Sequence, residues 1–193
     1  MARILCPGES TMTPTLFAAL LLLVLPDAAR TQTLCAQGET DHFSCPIGAG
    51  NKMLSVCSNI VENGDVNADS WLQYRFGTKN KIELAFPEEK AGSLSRFEGH
   101  VFNPREQPVE LADLRFSNGN TAYSVDFART SSDKAGGVAA FEADVSVALG
   151  RARPVPIRCR KVDAPRYYER FKDLNYILMR IQAETEAHQG EKP

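Results

Sequence analysis

The chain reads as a mainly β protein, an antiparallel sandwich or barrel of eight to nine short strands with one C-terminal amphipathic helix. Three observations predict this. Apolar and polar residues alternate with period two from residue 42 to residue 161, the pattern of half-buried strands. Turn-rich stretches at 58–70, 88–95, 103–108 and 128–137 cut that alternation into short pieces, as antiparallel layers require. Beyond Pro165 the apolar period changes to 3.6 residues, so 166–186 is expected to form a helix.

Residues 16–25 form a ten-residue apolar run followed by Pro26, Asp27, Ala28 and Ala29. That is too short for a membrane span, which needs about 20 residues, and fits the core of a secretory signal peptide. The leader is assigned to residues 1–33, with cleavage between 29 and 33; Met12 is an alternative start. Gln32, Thr33 and Leu34 before Cys35 lack the small residue of a lipoprotein signal, so no lipid anchor is expected. A β domain should follow over 34–162, then the helix and a frayed tail over 163–193. No transmembrane span is expected after signal removal, and the protein is placed in the periplasm or outside the cell.

The leader contains Arg3, Arg30, Glu9 and Asp27, so its loss leaves the formal charge at −2. Such a balance carries no electrostatic footprint for nucleic acid.

The strands follow in order. Phe43, Cys45 and Ile47 alternate in the first, and Leu54 and Val56 in the second. Leu72, Tyr74 and Phe76 face Ile82, Leu84 and Phe86 across a five-residue loop, which pairs 76 with 82 and 74 with 84. Phe97, Gly99 and Val101 mark another strand. Asn118-Gly119 signals a two-residue hairpin that would set Phe116 opposite Thr121 and Leu114 opposite Tyr123. Residues 141–149 and 155–159 complete the set, with Asp144 expected opposite Arg160. The helix should pack its apolar stripe, Tyr167, Phe171, Leu174, Leu178 and Ile181, on the sheet.

Once Cys6 leaves with the signal, Cys35, Cys45, Cys57 and Cys159 remain, an even set that reads as two disulfides formed in an oxidising compartment. Their spacing lacks the close pairs of a zinc site, so no metal or other cofactor is expected. Cys45 and Cys159 share the apolar face of their strands, whereas Cys57 alternates away from it. Parity therefore favours Cys45–Cys159 with Cys35–Cys57; the rival is Cys45–Cys57 with Cys35–Cys159.

Phe43-Ser44-Cys45, Lys52-Met-Leu-Ser-Val-Cys57, Trp71-Leu-Gln-Tyr-Arg-Phe-Gly77, Ile82-Glu-Leu-Ala-Phe-Pro87, Phe116-Ser-Asn-Gly119 and Ile157-Arg-Cys159 together resemble a group of small exported bacterial proteins of unknown function. The resemblance covers about residues 35–161. It implies a signal peptide, a cell-envelope location and a β-rich fold, and transfers no catalytic residue. The chain is more weakly similar to periplasmic inhibitors of C-type lysozyme, which are small disulfide-bonded β-barrels. Their Ser-Gly-x-x-Tyr loop is matched only loosely by Asn118, Gly119 and Tyr123.

Chemical motifs are sparse. Asp65, Asn67 and Asp69 have the 1-3-5 spacing of a calcium loop, but Ser70 and Phe76 stand where Gly and Glu are needed. His42, His100 and His188 are far apart and outside any H-E-x-x-H. Glu88-Glu89 reads as a wet strand end, and Gly136-Gly137 as a turn. No catalytic residue is assigned. The candidate binding surface is Trp71, Gln73 and Arg75, aligned on the polar face of their strand opposite Ala85 and Glu83; a Trp and an Arg on one exposed face make a hot spot. The competing expectation is that the helix covers that face and buries Trp71.

The chain thus reads as an exported, non-catalytic binding or envelope module of inhibitor-like kind. It would engage a protein or glycan in the cell envelope, as a monomer or weak oligomer. Two rivals are a small secreted hydrolase or sugar-processing enzyme using carboxylates or a His, and a structural subunit of an envelope assembly.

Overall fold

Alternating side chains build two facing sheets in the computed structural model, which describes residues 32–61, 65–104, 108–132, 139–160 and 162–190. All of these belong to one unit, Thr31–Pro193; residues 1–31 of the expected leader lie outside the described residues, while Gln32 and Thr33 lie within them. The first sheet contains β1 (Thr40–Pro46), β2 (Met53–Ser58), β3 (Leu72–Thr78) and β4 (Lys81–Phe86), adjacent in chain order and antiparallel. The second contains β5 (Glu98–Phe102), β6 (Val109–Asn118), β7 (Thr121–Thr130), β8 (Ala140–Leu149) and β9 (Val155–Ile157), also in chain order. The nine strands form an open sandwich and not a closed barrel. The helix α1 spans Ala164–Gly190.

Both tight hairpins keep the expected faces but slide by two residues. Phe116 pairs with Tyr123 and Leu114 with Val125, so the turn is Gly119-Asn120, with Gly119 at φ 58. In the β3–β4 hairpin Tyr74 pairs with Phe86 and Phe76 with Leu84, and the loop shrinks to Lys79 and Asn80. A register shift at Gly77 makes this possible. Gly77 has φ 146, and a Cβ there would collide with the Lys81 carbonyl oxygen. Ile82 is displaced from the core and is exposed. The expected Asp144–Arg160 pair does not form: Val145 pairs with Ile157, Asp144 faces Asp126, and Arg160 donates to the Gly50 carbonyl.

Aromatic rings knit the two inner faces. Phe116 stacks on Phe86 and on Tyr123, each with centroids 4.7 Å apart, and tilts against Tyr74 at 4.9 Å. Such pairs add about 0.5–1.5 kcal/mol beyond the area they bury. The helix closes the remainder of the core. It packs chiefly on β5 and also touches β1, β6 and β8, and Phe171 sits 4.7 Å from Phe127. Pro165 falls in its first turn, where a missing N–H is harmless. The helix therefore lies on the inner side of the second sheet and does not cover Trp71.

Two disulfides hold the ends. Cys35–Cys57 ties residues 33–39, a strap, onto the outer face of the first sheet. Cys45–Cys159 joins β1 to the chain just beyond β9, beside the bridge Ile47↔Cys159, and so clamps one sheet to the other. The second bond spans 114 residues, worth about 5 kcal/mol on a chain-entropy estimate. Such bonds fit a protein that works outside the reducing cytosol. Among the described residues no helix is long and apolar enough to cross a membrane.

Candidate functional site

The surface expected from the sequence is largely closed. Gln73 and Arg75 are only 5% and 8% exposed, while Trp71 is half-buried. The strap covers them. Arg75 Nη1 donates to the Leu34 carbonyl at 3.0 Å and to Glu39 at 2.5 Å, and Arg75 Nε donates to Gln73 Oε1 at 2.8 Å. Thr33, Ser44 and Ser55 add a chain of hydroxyl contacts beneath it. Lys90 Nζ caps the Trp71 ring at 3.7 Å from its centroid and pairs with Glu39 at 3.1 Å. Burial pushes the Glu39 carboxyl up, but hydrogen bonds from Arg75, Ala36 N–H and Lys90, with the Arg75 charge, outweigh it and hold it at about 2. Gln73 and Arg75 are thus internal struts, and the hot-spot expectation is corrected.

The outer face of the second sheet is different: neither strap nor helix covers it. Its strands put polar residues outward, and the register stacks them in rows. Asp113 on β6 lies directly opposite Asp126 on β7, which lies directly opposite Asp144 on β8. His100 on β5 continues the row beside Asp113. Directly opposed residues have Cβ atoms about 4.5–5.5 Å apart, where like charges destabilise a sheet. A sheet that needed only solubility would not place three carboxylates so.

The neighbours partly offset this repulsion. Asp113 Oδ2 is held by Arg115 Nε at 2.7 Å and lies 3.2 Å from His100 Nδ1. Ser124 Oγ donates to Asp126 Oδ2 at 2.5 Å. Burial pushes the Asp126 carboxyl up; Asp113 and Asp144 push the same way, against the Ser124 hydrogen bond and the Arg115 charge. Asp144 is exposed at the end of the row. The three aspartates, with Glu142, Arg115 and Leu111, line an open groove of about 310 Å³. Arg115 also lines an adjoining groove of about 420 Å³ with Arg96, Glu98, Ser124 and Ser146. Phe116, Tyr123 and Phe127, which contribute to the walls, turn their rings into the core.

Comparison of the chain with protein-family models, with curated proteins and with solved structures finds no match. The chemistry therefore rests on the residues themselves.

The other motifs serve the fold. His42 is buried between β1 and α1, with Nε2 2.7 Å from Ser58 Oγ and Nδ1 3.4 Å from the Arg170 carbonyl. It lines neither of the two grooves on the second sheet. Asn67 Oδ1 accepts from Asp69 N–H at 2.9 Å and the Asp69 carbonyl accepts from Asn59 Nδ2 at 2.9 Å, so the 65–69 segment is a turn tied to the end of β2. Glu88 and Glu89 are exposed at the end of β4, and His188 is exposed near the helix end; Gly136 and Gly137 lie outside the described residues. Glu110 accepts from Tyr168 Oη and lies 3.8 Å from Lys172 Nζ and from Arg129 Nη1, tying the helix to the sheet. Cys35, Glu39 and Cys57 bring three potential metal ligands within 4.8 Å of one another, but the sulfurs are spent in a disulfide and Glu39 is neutralised by two cations.

The aspartate row escaped the sequence reading. Its only signal is that Asp113, Asp126 and Asp144 all occupy outward positions of their strands. Their alignment depends on the register of two successive hairpins.

Proposed function

We propose that the protein is an exported, non-catalytic binding module of the cell envelope. It holds a cationic partner protein on the outer face of the five-stranded sheet. The observation that carries this reading is the directly opposed row Asp113–Asp126–Asp144 on an uncovered groove. Its mutual repulsion is relieved when cationic groups from a partner sit over it, so the energy lost in folding returns on binding. Two disulfides, the leader-like N-terminus and the resemblance to small exported bacterial proteins support a place in the periplasm or beyond. The similarity to inhibitors of C-type lysozyme supports a protein as the partner.

Titration of the protein with decalysine by calorimetry at low salt tests it. Wild type should bind, and the triple variant Asp113→Asn, Asp126→Asn, Asp144→Asn should lose about tenfold or more in affinity, since close charge pairs are worth over about 1.4 kcal/mol. A control with Glu184→Gln and Glu186→Gln on the exposed helix end should bind as wild type does. Equal losses in control and triple variant would reduce the effect to net charge and overturn the reading.

The raised Asp126 directly opposite the exposed Asp144 favours a second reading, hydrolysis of a glycosidic bond, because that chemistry uses two carboxyl groups held in different environments. It requires wild type to release reducing ends from peptidoglycan, and both Asp126→Asn and Asp144→Asn to stop that release.

A further inference from the structure

Strand β9 pairs with only Val145, Ser146 and Val147, although β8 is ten residues long. The reason is covalent: just past Ile157, the Cys45–Cys159 bond and the bridge Ile47↔Cys159 draw the chain away toward β1. Pro156 has no N–H, so Ser146↔Pro156 is the pair without hydrogen bonds, and Val145 and Val147 carry the bonds to β9. By alternation, Ala143 and Phe141 turn their N–H and C=O groups to that same side. Among the described residues, no backbone group bonds to them there. Among the described residues, 140–144 therefore form an unpaired edge about 17 Å long, at about 3.4 Å per residue.

The side chains along this edge are distinctive. Glu142 and Asp144 are exposed on the outer face, and Asp144 ends the aspartate row. Phe141 and Ala143 are half-buried on the inner face, Phe141 packing on Tyr168. We propose that this edge receives an extended segment of the partner by strand addition, with Lys or Arg alternating with apolar residues. The added main chain would bond to Phe141 and Ala143. Its cationic side chains would face Glu142 and Asp144, and its apolar ones would lie beside Phe141. This rests on the cationic-partner reading and gives it a binding mode. A second copy of the chain fits badly: pairing about residue 142 would set Glu142 against Glu142, a like-charge contact. Carboxylates on an edge can also serve only to block such pairing, and the test separates the two roles.

The probe is a heptapeptide of alternating lysine and valine, compared with the same peptide N-methylated at every peptide nitrogen, which keeps the charge but cannot join a sheet. In the free protein the amides of Phe141 and Ala143 should exchange rapidly with solvent. Saturating peptide should slow both by about tenfold or more, the methylated analogue should bind at least about tenfold more weakly, and Glu142→Gln with Asp144→Asn should weaken the unmodified peptide. If both peptides bind equally well, or the two amides are already protected in the free protein, strand addition is overturned while face binding stands. Decalysine binding without heptapeptide binding likewise overturns strand addition and leaves face binding intact. If the heptapeptide fails and the double variant self-associates, the carboxylates are edge guards only and the inference is overturned. Loss of decalysine binding as well would remove the reading beneath it.

Discussion

Arg75 and Glu39 form a two-pronged ion pair under the strap, with Nη1 2.5 Å from Oε2 and Nη2 3.0 Å from Oε1. The side chains are only 10% and 11% exposed, so solvent screens the pair poorly. Removing one partner leaves the other charge buried, and that costs about 3–5 kcal/mol, far beyond the 0–1 kcal/mol of a surface pair. Glu39→Gln should therefore lower the denaturant-derived stability by several kcal/mol. Glu39→Gln combined with Arg75→Met should recover much of the loss. If the single substitution costs under about 1 kcal/mol, the strap is loose in solution and the covered face is open.

Acid should weaken the fold in a defined window. Burial, opposed by a hydrogen bond to the Arg170 carbonyl and helped by the nearby Arg170 charge, lowers the His42 pKa from 6.5 to about 4. The unfolded chain thus binds a proton there before the folded chain does. Stability is fully present above pH 6.5 and is lost as pH falls from 6.5 to about 4, by about 3 kcal/mol for a shift of this size. Glu39, held at about 2, adds a second loss as pH falls below its unfolded value of 4.5. Burial pushes Asp41 and Asp126 up; these bind protons more readily when folded and act the other way. Denaturation midpoints between pH 7 and 5 cover the upper part of the histidine's window. There His42→Gln, which can still contact Ser58, should flatten the slope; an unchanged slope would assign the acid sensitivity elsewhere.

Faces were legible in the chain where local alternation defines them, and that includes the placement of Cys45 and Cys57 on opposite sides of the first sheet. Register was not. Both tight hairpins lie two residues from their expected pairing, because the shift at Gly77 and the Gly119-Asn120 turn change loop length without changing parity. Parity survived, so Tyr74, Phe76, Leu114 and Phe116 still point inward. The polar side of β3 was legible as polar, but its cover was not: the helix was the expected cover, whereas the strap is a short aperiodic segment whose docking depends on one disulfide and on Glu39. The aspartate row needed absolute register across three strands, and a slip of two residues dissolves it. The expected β6–β7 pairing, two residues off, sets Asp113 against Ser124 instead of Asp126.

The helix rests on a strand residue that has no side chain. A Cβ at Gly99 would come 2.8 Å from the Asn175 carbonyl oxygen, 2.8 Å from Asn175 Oδ1 and 2.8 Å from Leu178 Cβ. Two of these are rigid parts of α1, and Asn175 is itself fully buried, with Nδ2 donating to the Phe171 carbonyl at 2.9 Å. The helix would have to lift, loosening Phe171 and Leu178 from the core. Gly99→Ala should cost about 1–3 kcal/mol, as overpacking does, and should speed amide exchange across α1 before it affects β6 and β7. Gly50→Ala is the matched control: an added Cβ there has nothing within 4 Å and the backbone is not left-handed, so stability should change by under about 0.5 kcal/mol. Equal effects of the two substitutions would mean that the helix does not rest on β5 at this glycine. The closeness of α1 to the second sheet would then need another cause.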